Sequence, residues 1–109
     1  MIEFQNRYMK IILMYDVSMD EDNTTNYARF RNNLLKMGYI MIQYSIYVKT
    51  IGFKTIYEYE KQKLIKIIPK RSNVRILLIT ETQYSNIDIL SGEKSANEIY
   101  NEKERYIEL

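Results

Sequence analysis

Asp16 ends a run of apolar, aromatic and β-compatible residues, Tyr8-Met9-Lys10-Ile11-Ile12-Leu13-Met14-Tyr15, with Val17 just beyond it. A buried strand reads this way. The pattern then breaks into the polar stretch from Ser18 to Thr25. The carboxylate therefore falls at the carboxyl end of a predicted first strand, beside a loop, where ligand chemistry collects in open α/β sheets. Two roles fit an Asp there. It can form a turn, its side chain accepting from backbone N–H groups two residues on. It can also be a metal ligand, because a hard carboxylate oxygen suits Mg²⁺ or Mn²⁺. One Asp per chain cannot complete a protein-only site, but a two-fold dimer would bring two together. Asp20, Glu21 and Asp22 follow closely and read as a polar acidic loop.

The rest of the chemical inventory is defined by what is missing. There is no Cys and no His. That removes disulfides, thiolate metal sites, a Cys nucleophile, the usual zinc sites and the commonest general base. Any metal chemistry must rest on carboxylates. The net charge of +2 says little, but the distribution says more. Residues 29 to 75 carry Arg29, Arg31, Lys36, Lys49, Lys54, Lys61, Lys63, Lys66, Lys70, Arg71 and Arg75 against only Glu58 and Glu60. A basic middle of this kind either forms a phosphate-binding face or simply solvates helix surfaces.

The elements that must position these groups follow from periodicity. Residues 8 to 17 are the first strand. Asp22, Asn23 and Thr24 are helix-start residues. Asn26 to Met37 is a helix whose apolar stripe is Tyr27, Phe30, Leu34 and Met37, with Arg29, Asn33 and Lys36 on a polar face. Gly38 stands where a C-terminal cap belongs. Residues 39 to 51 alternate with period two, as a half-buried strand does. Thirteen residues exceed the usual strand length, so this is one long strand or two joined at a bend near Gln43 to Ser45. Lys54 to Ile68 is a second helix, stopped by Pro69. Val74 to Thr82 is a strand rich in β-formers. Asn86 to Leu90 is a further short strand candidate, residues 93 to 104 a surface loop or loose helical turn, and Arg105 to Leu109 a last short strand.

At 109 residues the chain is one domain, and an apolar fraction of 46% is ordinary for a globular protein. Eleven Tyr against three Phe and no Trp is unusual. Either many tyrosines lie at a subunit contact, or they replace Phe in half-buried strands. No apolar run is long enough to span a bilayer, and the first residues lack the basic-then-apolar design of a signal peptide, which points to the cytoplasm. The order β-α-β-(β)-α-β-β with right-handed crossovers is an α+β, ferredoxin-like βαββαβ sandwich with two helices on one face of an antiparallel sheet. The other sheet face would expose Met, Tyr and Ile, an apolar patch that a monomer rarely leaves open and a face-to-face homodimer would cover.

Three landmarks line up with a known family. They are the strand ending Met14-Tyr15-Asp16-Val17, the helix ending Leu35-Lys36-Met37-Gly38, and the strand Ile42-Gln43-Tyr44-Ser45-Ile46-Tyr47. Together they resemble the CRISPR-associated protein 2 family, in the version that accompanies type II systems, over residues 8 to about 90. The Gln-Tyr-Ser-aliphatic-aromatic run shortly after a helix-ending Gly is the most specific of the three. Tyr27 stands where relatives often carry Arg, Met41 where a basic residue is frequent, and Tyr47 where Phe is.

The resemblance implies a ferredoxin-like domain over 1–92 and a tail over 93–109 whose short strand joins the partner protomer's sheet. It implies a metal-dependent endonuclease in which Asp16 of each protomer flanks one shared Mg²⁺. It also implies a scaffold of CRISPR adaptation, bridging dimers of the integrase, CRISPR-associated protein 1, and holding double-stranded DNA for insertion. Arg29, Arg31, Lys36, Lys49, Lys70 and Arg71 are the candidates for contacting phosphates, which would give affinity without base readout. Ferredoxin-like domains also serve as RNA-binding modules and small-ligand regulators. The Lys/Arg-Gly-Phe-like strand motif of the RNA-binding version is not found here.

Overall fold

The computed structural model describes residues 8–17 and 24–99. Four strands form one antiparallel sheet in the order β2-β3-β1-β4: β1 Met9–Val17, β2 Ile40–Gln43, β3 Ile46–Ile51 and β4 Ser72–Thr80. Helix α1 spans Thr24–Lys36, α2 spans Ile56–Ile65 and a short α3 spans Glu81–Ser85. This is the ferredoxin-like α+β arrangement expected from the sequence, with β1 and β4 each paired along the strand that separates them from their crossover partners.

Alternation along β1 sets the layers. Ile11, Leu13, Tyr15 and Val17 are buried and pack with Phe30 and Leu34 of α1 and Leu64 of α2. Both long helices therefore cover that one face. Successive strand residues point to opposite sides, so Lys10, Ile12, Met14 and Asp16 face away from the helices. Tyr15 is the hub of the core. Its ring meets Phe30 edge-on at 5.0 Å and lies 5.8 Å from Tyr47 and 5.9 Å from Tyr27. Tyr15, Tyr39 and Tyr47 are buried, so these tyrosines take the place of Phe, whereas Tyr8, Tyr44 and Tyr59 are exposed.

Residues 39 to 51 are two strands. The turn is Tyr44-Ser45, and Ser45 adopts φ 63°, a left-handed conformation that rarely suits a residue with a Cβ. Neither Gly nor Pro marks this turn, so composition left it open. Gly38 takes φ +94° two residues past the end of α1, where the Tyr39 amide donates to the Leu34 carbonyl at 3.0 Å and closes the helix end.

Several element ends differ from expectation: α1 runs Thr24–Lys36 rather than Asn26 to Met37, α2 begins at Ile56 rather than Lys54, and β4 begins at Ser72 rather than Val74. Helix α2 ends at Ile65 rather than Ile68, because Pro69 has no N–H to offer the Ile65 carbonyl and disfavours a helical residue before it. Strand β4 ends at Thr80 rather than Thr82. Thr80 caps α3 through a reciprocal pair: its Oγ1 accepts from the Gln83 amide at 3.0 Å, and its own amide donates to Gln83 Oε1 at 2.9 Å. A further correction concerns Asn86 to Leu90, which is not a strand but an irregular segment after that helix. Residues 96–99 make one helical turn. The expected strand at 105–109 and most of the acidic loop after Val17 lie outside the described residues.

Candidate nucleic-acid and metal site

Asp16 sits one residue from the end of β1, on the face opposite the helices, with an exposed side chain. Register fixes its neighbours. It pairs with Asn73 of β4, and Met14 pairs with Arg75 on one side and Ile46 on the other. Paired residues in an antiparallel ladder share a face. Asp16, Asn73, Arg75, Met14 and Ile46 are thus gathered at one end of the open face. The Tyr44-Ser45 turn leans into the same corner, since the Tyr15 amide donates to the Ser45 carbonyl at 3.0 Å. These residues line an open depression of about 480 Å³.

Among the described residues, this end of the sheet offers a metal little more than Asp16. Among the described residues no group of three or more His, Cys, Asp or Glu side chains could hold an ion. Mg²⁺ is commonly held by one or two carboxylates, several waters and substrate phosphates. A single exposed carboxylate with an amide side chain opposite fits half of such a site, to be completed by a second copy or by the substrate.

The basic candidates divide in two. Lys70 and Arg71 are exposed and immediately precede β4, whose first residue Ser72 pairs with Val17, so they lie at the Asp16 end of the sheet. Arg29 and Arg31 are exposed on α1, and Lys36 is exposed in its last turn. Lys49 differs. On β3 it points to the helix side, paired with Ile11. Its ammonium lies 2.7 Å from the buried Glu60 carboxylate and 5.5 Å from the centre of the Tyr39 ring. Burial would push the Glu60 carboxyl up, but Lys49 and Lys63 outweigh it and hold the group below the usual carboxylate range. The Tyr39 hydroxyl is pushed up by burial and by the Glu60 charge.

Arg75, Asn73 and Tyr44 escaped selection from sequence. Arg75 belongs to the basic middle, but only its register with Met14 shows that it shares a face and an end with Asp16. The alternation of β4 with β1 was the available signal; pairing partners are not readable from one strand.

The open face carries Ile12, Met14, Ile46, Leu77 and Ile79, and Leu77 is 52% exposed. Its far end is closed by α3. There Lys10 Nζ lies 3.4 Å from Glu81, donates to Thr50 Oγ1 at 2.6 Å and stands 5.1 Å from the centre of the Tyr84 ring. Tyr84 donates to Glu98 at 2.6 Å, and Ser95 Oγ donates to the Met41 carbonyl at 3.4 Å, so residues 93–99 pack back on the domain. Among the described residues no helix is long and apolar enough to cross a membrane.

Comparison with known proteins agrees with this geometry. The family described as CRISPR associated protein Cas2 matches residues 9–87. The CRISPR-associated endoribonuclease Cas2 of Campylobacter jejuni subsp. jejuni serotype O:2 is 34% identical over 100 residues, spanning 91% of this chain and 67% of that protein. Its counterpart in Ligilactobacillus salivarius is 33% identical over 100 residues, spanning 91% of this chain and 98% of that protein. A solved chain, the crystal structure of cas2, superposes with a TM-score of 0.54 at 23% identity, covering 82% of this chain and 92% of that one. At that identity the likeness speaks to the fold.

Proposed function

Since this chain belongs to the CRISPR associated protein Cas2 family, we propose that it acts in CRISPR adaptation as a homodimeric scaffold. It binds double-stranded DNA and bridges dimers of the integrase, CRISPR-associated protein 1, during spacer integration in the cytoplasm. The observation that carries this reading is the open sheet face. Leu77, Met14 and Ile46 form an apolar surface that water alone would otherwise cover, and a second copy laid on it removes that area from solvent. A two-fold axis running along the strands would also set the two Asp16 ends beside each other. Arg29, Arg31, Lys36, Lys70 and Arg71 then supply cationic contacts to phosphates without reading bases. Lys49 is engaged by Glu60 and is left out of that set. The test is duplex binding across a salt series, together with spacer integration in the presence of the integrase. Affinity that falls steeply with salt, with little dependence on sequence, supports the scaffold. Affinity indifferent to ionic strength overturns it.

A second reading is a Mg²⁺-dependent endonuclease, favoured by the exposed Asp16 in its depression and by the endoribonuclease names of the relatives. Two Asp16 carboxylates, one from each copy, would hold the ion. An ion held between those carboxylates would supply activation of water and offset charge developing on the phosphate. The chain's own part is to place the carboxylate at a strand end and to set Arg75 and Asn73 beside it to receive a phosphate and keep its orientation. Asp16→Ala separates the two readings. Loss of cleavage with intact integration assigns Asp16 to a nuclease that adaptation does not need.

A further inference from the structure

Leu77, Ile12, Val48 and Ile40 pair in one row across the sheet, on the face turned away from α1 and α2. The two ends of that row differ. Leu77 is 52% exposed, whereas Val48 is 2% exposed although it does not belong to the core under the helices. Lys10, opposite Thr50 on the same face, is 4% exposed. The open face is therefore already covered over Lys10 and Val48. Residues 86–99 make the crossing that would cover it. They leave α3 at the β4 edge, and Ser95 Oγ donates to the Met41 carbonyl on β2, the opposite edge strand. Three strand spacings amount to about 14 Å, well within the reach of that length of chain. Both ends of the crossing are fastened. At α3, Lys10 pairs with Glu81 and stands against the Tyr84 ring. At the other end Ser95 and Glu98 cap each other, each amide donating to the other's side chain at 3.1 Å, and the Tyr84 hydroxyl donates to Glu98 Oε2 at 2.6 Å.

We infer that residues 86–99 are a strap closed over the chain's own sheet, latched by the Tyr84–Glu98 hydrogen bond, which shields Val48 and leaves only Met14, Ile46 and Leu77 to a second copy. The second half of this statement rests on the homodimer reading above; the first does not. An apolar row exposed along its whole width would let copies meet in many offsets. Covering one side of it confines the contact to what remains. The latch is a single hydrogen bond to a carboxylate on a segment with little buried apolar surface, so it opens locally far more often than the domain unfolds.

The experiment uses the full chain and reads trypsin cleavage after Lys94, which is exposed and directly precedes Ser95. Cleavage of a folded protein there reports the open population of the strap. Tyr84→Phe keeps the ring and removes the donor; Glu98→Gln keeps the shape and removes the charge. Each is expected to speed cleavage about tenfold, in the otherwise unaltered chain and in a Leu77→Asp background, with the urea midpoint nearly unmoved. Each is also expected to raise the solution mass of the otherwise unaltered chain above two copies, because Val48 is uncovered. Fast cleavage in Leu77→Asp alone, with no further gain from Tyr84→Phe, would mean that the second copy holds this segment, and overturns the strap. Cleavage equally fast in every form overturns it too. Accelerated cleavage with the mass unchanged at two copies overturns the shielding. A single-copy mass for the unaltered protein overturns the homodimer reading and the strap's part in it, and slow cleavage in that single copy supports the closed strap.

Discussion

The Lys49 ammonium lies 2.7 Å from Glu60 Oε1, a carboxylate that is only 2% exposed. Lys63 reaches the other oxygen at 3.3 Å, and the Tyr39 hydroxyl stands 3.4 Å from the first. Removing one partner of a buried pair leaves the other charge uncompensated. Lys49→Met is expected to destabilise the fold by about 2 kcal/mol, below the usual cost of about 3–5 kcal/mol because Lys63 still faces the carboxylate. Urea unfolding checks the stability, and a duplex-binding salt series checks that the slope is unchanged. A shallower slope would return Lys49 to the phosphate-contacting set.

The same cluster sets an acid limb. Glu60 is held below the usual carboxylate range in the folded protein. A depressed carboxyl contributes stability above its unfolded value and loses it as pH falls through the folded one. Stability should therefore decline on acidification below the ordinary glutamate range. The decline should be shallower in Glu60→Gln, as followed by urea midpoints across acidic pH.

The apolar open face predicts association. Leu77→Asp places a charge at the centre of that face, on a residue already 52% exposed, so the single copy should fold normally. Light scattering is expected to show twice the chain mass for the unaltered protein and one chain mass for the variant. Unchanged mass in the variant would place any contact between copies elsewhere.

Asp16→Asn tests whether the carboxylate serves structure or chemistry. The side chain is exposed at a strand end, so stability should shift by no more than about 0.5 kcal/mol. Mg²⁺-dependent cleavage, if the unaltered protein shows it, should disappear. A large loss of stability in thermal unfolding would instead make Asp16 a turn-holding residue.

Arg29 and Arg31 are exposed on α1, on either side of the buried Phe30, and each is predicted to contribute one phosphate contact. Their removal to Ala should each lower the magnitude of the salt slope of duplex binding by about 1 and weaken all sequences alike. An effect confined to particular sequences would argue for base contacts instead.

Local order along the chain was enough for much of this. Period-two alternation in β1, the stripe Tyr27, Phe30, Leu34 and Met37, the Gly38 cap and the strand-end position of Asp16 all depend on neighbours within a few residues. Those neighbours are written in the sequence, and so was the Thr80 and Gln83 cap, although the β-rich run into Thr82 concealed it. What tertiary structure alone decided involves partners far apart in sequence. Lys49 and Arg75 are both cations on strands, yet one faces the helices and meets Glu60 while the other faces outward beside Asp16. The difference comes from the register of each strand against β1, and shifting a register by one residue exchanges the two faces. Burial of Glu60 then converts the inward Lys into a structural counter-charge, whereas the outward Arg keeps its reach for phosphate.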